Sequence, residues 1–274
     1  MAMMRFCSLG SGSGGNALLL QWEYKGRLCH LLLDCGFSER ELCLRLAERG
    51  VSIASLDAVL ITHEHGDHLG KAPQIASRHG LELWASYGTL RSTATLQAQM
   101  MQALNYRRIR PGECQTLYGL EIEPVAVPHD AGEPIQFIFT LNPPDAPRQR
   151  LGVLTDLGHV SAHVLDRYRD LDALVVESNH DLRMLERSTY PPSLKQRVGG
   201  PWGHLSNQQS AQFLAAIDAA SIPCVIAAHL SQQNNHPDHV RSAMQHHLGD
   251  GFAERLIIAD QGRGFEWQIV RDRG

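Results

Sequence analysis

The chain has 274 residues, 43% of them hydrophobic and 20% charged, the proportions of a globular protein with ample material for a core. Its net charge of −4 gives no overall attraction to a polyanion, so any contact with nucleic acid has to come from local cations or metals. No apolar run approaches a membrane span, and the first residues lack the charged segment and apolar core of a signal peptide, so a cytoplasmic protein with no membrane partner is expected. Cys7, Cys29, Cys35, Cys43, Cys114 and Cys224 form no CxxC pair; buried reduced thiols fit better than a disulfide framework.

Residues 5–9 and 17–22 read as strands around a glycine-rich turn at 8–16. The turn lacks the order of a P-loop and no helix pattern follows it, so a tight turn with positive φ angles is expected rather than a phosphate cradle. Residues 27–34 form a third strand ending in Asp34-Cys35-Gly36. Ser38 with Glu41 three residues on reads as a capping box, opening a helix that closes at Gly50. Val59, Leu60 and Ile61 make a short buried strand, and His63, His65, Asp67 and His68 follow it directly. In extended backbone, side chains two apart face the same way, so His63 and His65 can share one ion. Gly66 allows a turn, after which Asp67 and His68 would open a helix over 69–79 and reach a second ion.

Further on, 81–85 reads as a strand and 88–104 as a helix. The alternating strand 120–127 delivers His129 with Asp130 beside it, and 135–141 is its hairpin partner. The proline-rich stretch 142–150 is a loop, too short to divide the chain, so one domain over residues 1–274 is expected. Strands at 151–154 and 173–176 end in Thr155-Asp156-Leu157-Gly158 and Glu177-Ser178-Asn179-His180. Residues 181–199 read as helical with a break at Pro191-Pro192. Gly203-His204-Leu205-Ser206-Asn207 caps a helix over 207–220, and the strand 224–228 places His229 at its end. An amphipathic helix over 236–248 and strands at 255–259 and 264–270 complete the chain. Strands then helices, twice over, predict an α/β fold: two mixed sheets packed together with helices outside, a four-layer αββα sandwich.

Metal-capable side chains thus recur just beyond apolar strands. If those strand ends converge, His63, His65 and His129 hold one divalent ion, Asp67, His68 and His229 hold a second, and Asp156 bridges. Mixed imidazole and carboxylate ligands suit zinc, manganese or iron without choosing among them, and no cysteine joins the set as a thiolate zinc site would require. Paired ions about 3.5–4 Å apart clamp both oxygens of an in-line displacement.

The run Thr62-His63-Glu64-His65-Gly66-Asp67-His68-Leu69-Gly70-Lys71, with Asp34, His129, Asp156 and His229 in order, resembles the metallo-β-lactamase superfamily at all its usual metal positions. Ser11-Gly12-Ser13-Gly14-Gly15-Asn16, Glu177-Ser178-Asn179-His180-Asp181, Tyr190-Pro191 before Ser193-Leu194-Lys195-Gln196-Arg197, Gly203-His204-Leu205-Ser206-Asn207 and His229-Leu230-Ser231 with Asn234-Asn235 are similar to the YycJ (WalJ) family over nearly the whole chain. The glycine turn departs mildly, since members often carry a second adjacent serine. The resemblance implies the αββα fold, two metals and a nuclease acting on DNA, proposed to be a 5′-to-3′ exonuclease in repair. Glu177 followed by His204 is similar to the pair in ribonuclease Z, where the histidine donates a proton to the leaving oxygen and the glutamate orients it. The short stretch between Asp156 and His229 leaves little room for the β-CASP domain of ribonuclease J.

The expected site is therefore catalytic Asp67, His204 and Glu177, with Asp34 orienting a ligand histidine from behind. Asn16, Asn179, His180, Lys195 and Asn207 are candidate substrate contacts, with Arg197 a further candidate for phosphate. His236, His239, His246 and His247 read as surface residues, and Arg107, Arg108 and Arg110 as an ordinary charged face. The expected partner is DNA, with RNA as the alternative, and no flavin or nucleotide cofactor. Competing readings are a hydrolase of a small ester, thioester or cyclic phosphodiester, and a non-catalytic regulatory scaffold stabilised by metal. The complete ligand set argues against the scaffold, and His204 argues for a leaving oxygen that needs a proton.

Overall fold

A computed structural model of the chain describes residues 3–92 and 105–273. The apolar runs build two seven-stranded sheets. The first holds β1 (Arg5–Gly10), β2 (Ala17–Tyr24), β3 (Arg27–Leu33), β4 (Ala58–Leu60), β5 (Glu82–Ser86), β6 (Asn105–Ile109) and the last strand, β14 (Phe265–Ile269). The second holds β7 (Gln115–Leu117), β8 (Leu120–Ala126), β9 (Ile135–Leu141), β10 (Gln149–Leu154), β11 (Ala173–Glu177), β12 (Cys224–Ala228) and β13 (Ile257–Ile258). In spatial order they run β14-β1-β2-β3-β4-β5-β6 and β7-β8-β9-β10-β11-β12-β13. In each, the first four strands pair antiparallel and the rest parallel.

Strands such as β2 and β3 are apolar on both faces because both faces are covered. Leu18, Leu20, Trp22, Leu31 and Leu33 meet Phe137, Phe139, Leu151 and Val175 between the sheets. Leu19 and Leu32 point the other way, against α1 (Glu39–Glu48) and α2 (Ala72–His79). The outer face of the second sheet packs on α4 (Ala162–Arg167), α7 (Asn207–Ala216), α8 (Pro237–Leu248) and α9 (Asp250–Arg255). Short helices α3 (Tyr87–Arg91), α5 (Leu182–Arg187) and α6 (Pro192–Val198) lie in the connections. The expected αββα layering is therefore present. Among the described residues no helix is long and apolar enough to cross a membrane.

Several local expectations are corrected. Ser38 accepts the Glu41 N–H, but the Glu41 carboxylate pairs with Arg45 one turn on, so only half of the capping box forms. The complete box lies at α7, between Ser206 and Gln209. Helix α2 starts at Ala72 rather than 69, because His68 and Leu69 donate back to His65 O in a turn; Asp67 and His68 therefore precede the helix. The helix α7 stops at Ala216, short of 220, with Asp218 left-handed at φ 55°. Of the helix expected over 88–104, α3 covers 87–91, and residues 93–104 lie outside the described residues. Strands β6 and β7, helix α4 and helix α9 were not expected. In β6, Arg107 stacks on Trp84 at 4.2 Å, while Arg108 stacks on Tyr87 at 4.6 Å. That charged edge discourages pairing with another sheet.

Candidate active site

Strand ends supply the site. Asp34 follows β3, the turn with His63, His65, Asp67 and His68 follows β4, Asp156 follows β10, and His229 follows β12. Glu177 is the last residue of β11, and His129 lies beyond β8. Asp34, Asp156 and His229 are left-handed, at φ 63°, 53° and 55°. This conformation is uncommon away from glycine and gathers at functional sites. Each is braced: Asp34 N–H donates to Leu60 O at 2.8 Å, Asp156 N–H to Glu177 Oε1 at 3.2 Å and His229 N–H to Ser11 Oγ at 2.9 Å. Gly36 lets the β3–α1 loop pass under the histidine turn, since a Cβ there would sit 1.9 Å from Asp67 O.

The outward nitrogens of the imidazoles have partners that fix the tautomers. His63 Nδ1 lies 3.0 Å from Thr62 Oγ1, whose own proton goes to Asp34. His68 Nδ1 donates to Asp34 Oδ2 at 2.8 Å, His129 Nδ1 to Gly203 O at 3.0 Å and His65 Nε2 to Asp130 O at 3.2 Å. The remaining nitrogens turn inward, lone pair first. His65 Nδ1 faces His129 Nε2 at 3.3 Å, and His68 Nε2 faces Asp156 Oδ2 at 3.2 Å. His63 Nε2, His229 Nε2 and Asp156 Oδ2 are buried and make no hydrogen bond. Lone pairs aimed at each other in a buried space call for a cation or a proton between them, and orphaned buried polar atoms need such an account.

Three groupings bring one ligand atom from each residue within 4.8 Å of the others: His63, His65 and His129; Asp67, His68 and His229; His63, His68 and Asp156. These are the residues the sequence brought forward, with Asp156 in reach of both triads. A further grouping joins Asp156, Glu177, His204 and His229. In it Glu177 is already filled: Oε2 takes the Leu205 N–H at 2.8 Å and Oε1 the Nδ1–H of His204 at 2.8 Å and of His229 at 3.1 Å.

The charges are strongly interdependent. Burial alone would raise the Glu177 carboxyl, but His204 and His229 beside it bring it down to about 2. Burial would depress His229, yet Asp156, Asp67 and Glu177 lift it to about 10. Burial likewise opposes the proton on His68, but Asp156 and Asp34 hold it well above the usual imidazole value. His63, whose burial is reinforced by the neighbouring His68, is pushed far down and stays neutral. The cluster is thus a set of carboxylates that demands positive charge between its members.

A cleft of about 340 Å³ opens over the cluster. Asp67, 24% exposed, faces it beside His204, while Asp156 at 2% is almost covered. Of Asn16, Asn179, His180, Lys195 and Asn207 only Asn179 lines the cleft. Asn16 is buried beneath it, its Oδ1 accepting Gly12 N–H at 2.7 Å and its Nδ2 lying 3.0 Å from His68 Nε2. Gly12 and Gly15 have positive φ, as the turn requires. Asn207 is buried against Asn235, His180 is buried beside Gly199 at the end of α6, and Lys195 Nζ turns away to Glu186 O at 2.6 Å. Arg197 does line the cleft, in an ion pair with Asp130. The sequence reading left out Ser13, Ser231, Tyr190, Leu194 and Val198 as cleft residues. A signal was there for three of them. Leu194 and Val198 stand one turn apart on α6, a helix with no buried residue, and Tyr190 continues their four-residue spacing just before its cap.

The layering and the inward-facing donors form a candidate metal centre, and the similarities that follow make the protein a metal-dependent hydrolase, a nuclease or phosphodiesterase. Residues 30–229 match the beta-lactamase superfamily domain. Exodeoxyribonuclease YycJ of Bacillus anthracis is 30% identical over 260 residues, covering 94% of this chain and 95% of that protein. Exodeoxyribonuclease WalJ of Streptococcus pneumoniae is 29% identical over 266 residues, covering 97% of this chain and 93% of the other. The chain belongs to the beta-lactamase superfamily and, within it, to the YycJ and WalJ family. The metallo-beta-lactamase fold protein YhfI of Bacillus subtilis superposes with a TM-score of 0.72 at 15% identity, over 98% of this chain and 100% of that one, a likeness of fold.

Proposed function

We propose that the protein is a DNA exonuclease that degrades from a 5′ end, in DNA processing or repair, with two divalent ions of zinc, manganese or iron. The observation that carries the chemistry is the Glu177–His204 pair at the cleft. With Nδ1–H held by Glu177, a protonated His204 presents Nε2–H to a leaving oxygen, and the carboxylate stabilises the imidazolium. A thioester needs no such donor, because a thiolate leaves unprotonated, whereas the alkoxide released from a phosphodiester does. The full-length similarity to two exodeoxyribonucleases supports DNA as the polymer.

His63, His65 and His129 would hold one ion, Asp67, His68 and His229 the other, with Asp156 between them, and the orphaned inward atoms fit that role. Such ions supply a Lewis acid for the phosphoryl oxygens and lower the pKa of an attacking water. Asp67, the exposed carboxylate of the set, would take that water's proton. Asp34 fixes His68 from behind, and Asn179 and Arg197, which line the cleft, would meet phosphate oxygens.

The test compares a covalently closed DNA circle with the same DNA linearised, in manganese and in zinc. The linear form should shorten from its 5′ termini while the circle survives. Cutting of the circle at equal rate would make the protein an endonuclease, and faster loss of matched RNA would change the polymer. Turnover of neither, with a cyclic nucleotide hydrolysed instead, would establish the small-phosphodiester reading.

A further inference from the structure

Beyond the cleft, α5 and α8 face each other across a trough of about 940 Å³. Arg183 and Arg187 stand one turn apart on α5, and His239 and His246 two turns apart on α8, so each helix presents a row along its length to the trough. All four are exposed. Among the described residues neither arginine side chain has a carboxylate partner, although most other arginines in the chain are paired or stacked. The one carboxylate on the wall, Asp181, caps α5 and pairs with neither arginine side chain: its Oδ1 accepts the backbone N–H of Arg183 and of Met184. Leu182, 51% exposed, adds apolar surface beside the cations. In a chain of net charge −4, two guanidinium groups without a carboxylate partner and imidazole donors in one concave strip form a local anion surface.

The strip is continuous in sequence with the cleft. Asn179 and Tyr190 line the cleft, and the stretch between them includes α5, residues of which line the trough. A flexible polyanion leaving the cleft over α5 therefore meets the arginines next. We propose that this trough carries the sugar–phosphate backbone of a single-stranded polynucleotide whose end lies in the cleft. Spaced cations with apolar surface among them are how single strands are held without sequence preference. An acidic protein segment would find the charges but no reason for their continuity with the cleft. The inference rests on the nuclease reading for its substrate, and the experiment separates the two.

Arg183→Gln with Arg187→Gln is compared with the parent chain on a dinucleotide and on an oligonucleotide of about 20 nucleotides, longer than a typical single-strand site. Each lost phosphate contact lowers the logarithmic salt slope by about 0.7 on single strands, so the slope should fall by about 1.4 and the long substrate should bind about tenfold more weakly at physiological salt. Turnover of the dinucleotide should be unchanged. Binding is also read by fluorescence anisotropy in metal-loaded protein carrying His204→Ala, where cleavage is suppressed. An unaltered salt slope overturns the track, as does an equal loss on the dinucleotide, or displacement of the oligonucleotide by polyglutamate as readily as by unlabelled single strand. If the parent cleaves neither substrate while the anisotropy slope still depends on the arginines, the nuclease reading fails and the track stands.

Discussion

Glu177 holds His204 by a 2.8 Å hydrogen bond from Nδ1 to Oε1, at the end of a carboxylate that no solvent reaches. The bond fixes the tautomer and leaves Nε2 for the cleft. His204→Ala should lower kcat by about 10²–10⁴ on a phosphodiester with an alkoxide leaving group, while its metal content stays the same. On a nitrophenyl ester, which departs without a proton, the loss should be small. Equal losses on both would assign His204 to binding rather than to proton donation.

Elemental analysis of protein purified without chelator should approach two divalent ions per chain, and His65→Ala and Asp156→Ala should each reduce the count. An ion present at about a thousand times its Kd adds about 4 kcal/mol of stability. Chelation should therefore lower Tm measurably in the parent chain and much less in Asp156→Ala. Full loading of Asp156→Ala would remove the bridge.

Asp34 accepts the His68 Nδ1–H at 2.8 Å and the Thr62 N–H at 2.9 Å from a buried position. Asn at this site preserves the volume but can turn an amide N–H toward the histidine proton. Asp34→Asn should weaken metal binding by about 10- to 100-fold with the fold retained. Isothermal titration of the metal-stripped variant reads this directly, and parent affinity would contradict it.

Much of this was legible in the sequence because the chemistry is local to strand ends. The run from Val59 to His68 shows an apolar strand and then inward ligands, and His129, Asp156 and His229 each close a similar apolar run. What sequence could not give was the placement of polar residues relative to the cleft. Asn207 and Asn235 pair with each other in both directions at 2.9 Å, a buried amide pair that looks in sequence like any functional asparagine. The left-handed turns at Asp34, Asp156 and His229 leave no mark either, since no glycine announces them. Strand β6 was missed because Asn105-Tyr106-Arg107-Arg108-Ile109 is an edge strand, where burial imposes no alternation.

Tyr190, with Leu194 and Val198 behind it on α6, gives the cleft an apolar wall. A base stacked on an aromatic ring is worth about 1–3 kcal/mol. Tyr190→Ala should raise KM for a natural terminal nucleotide and leave KM for a terminal abasic residue unaltered. A parent chain that treats the two substrates alike would exclude stacking at this wall.

Burial pushes the thiols of Cys7 and Cys35 up to about 12. Cys114 is exposed, although partial burial raises its thiol too. Brief alkylation of the native protein at about pH 8 should mark Cys114 first and spare Cys7 and Cys35 until unfolding. Mass spectrometry of the peptides decides it.

The two sheets match pair for pair, β14-β1-β2-β3-β4-β5-β6 against β7-β8-β9-β10-β11-β12-β13, with antiparallel and parallel contacts in the same places. In that correspondence β3 answers to β10, so Asp34 and Asp156 are twins, both left-handed at the first crossover to a parallel neighbour. One twin faces the ligand lone pairs while the other steadies His68 from outside. The histidine turn after β4 comes from one half, and His129, Asp156 and His229 come from the other. An ion gripped by both is a rivet through a seam, and extracting it should let amide hydrogens along that seam exchange before those within either sheet.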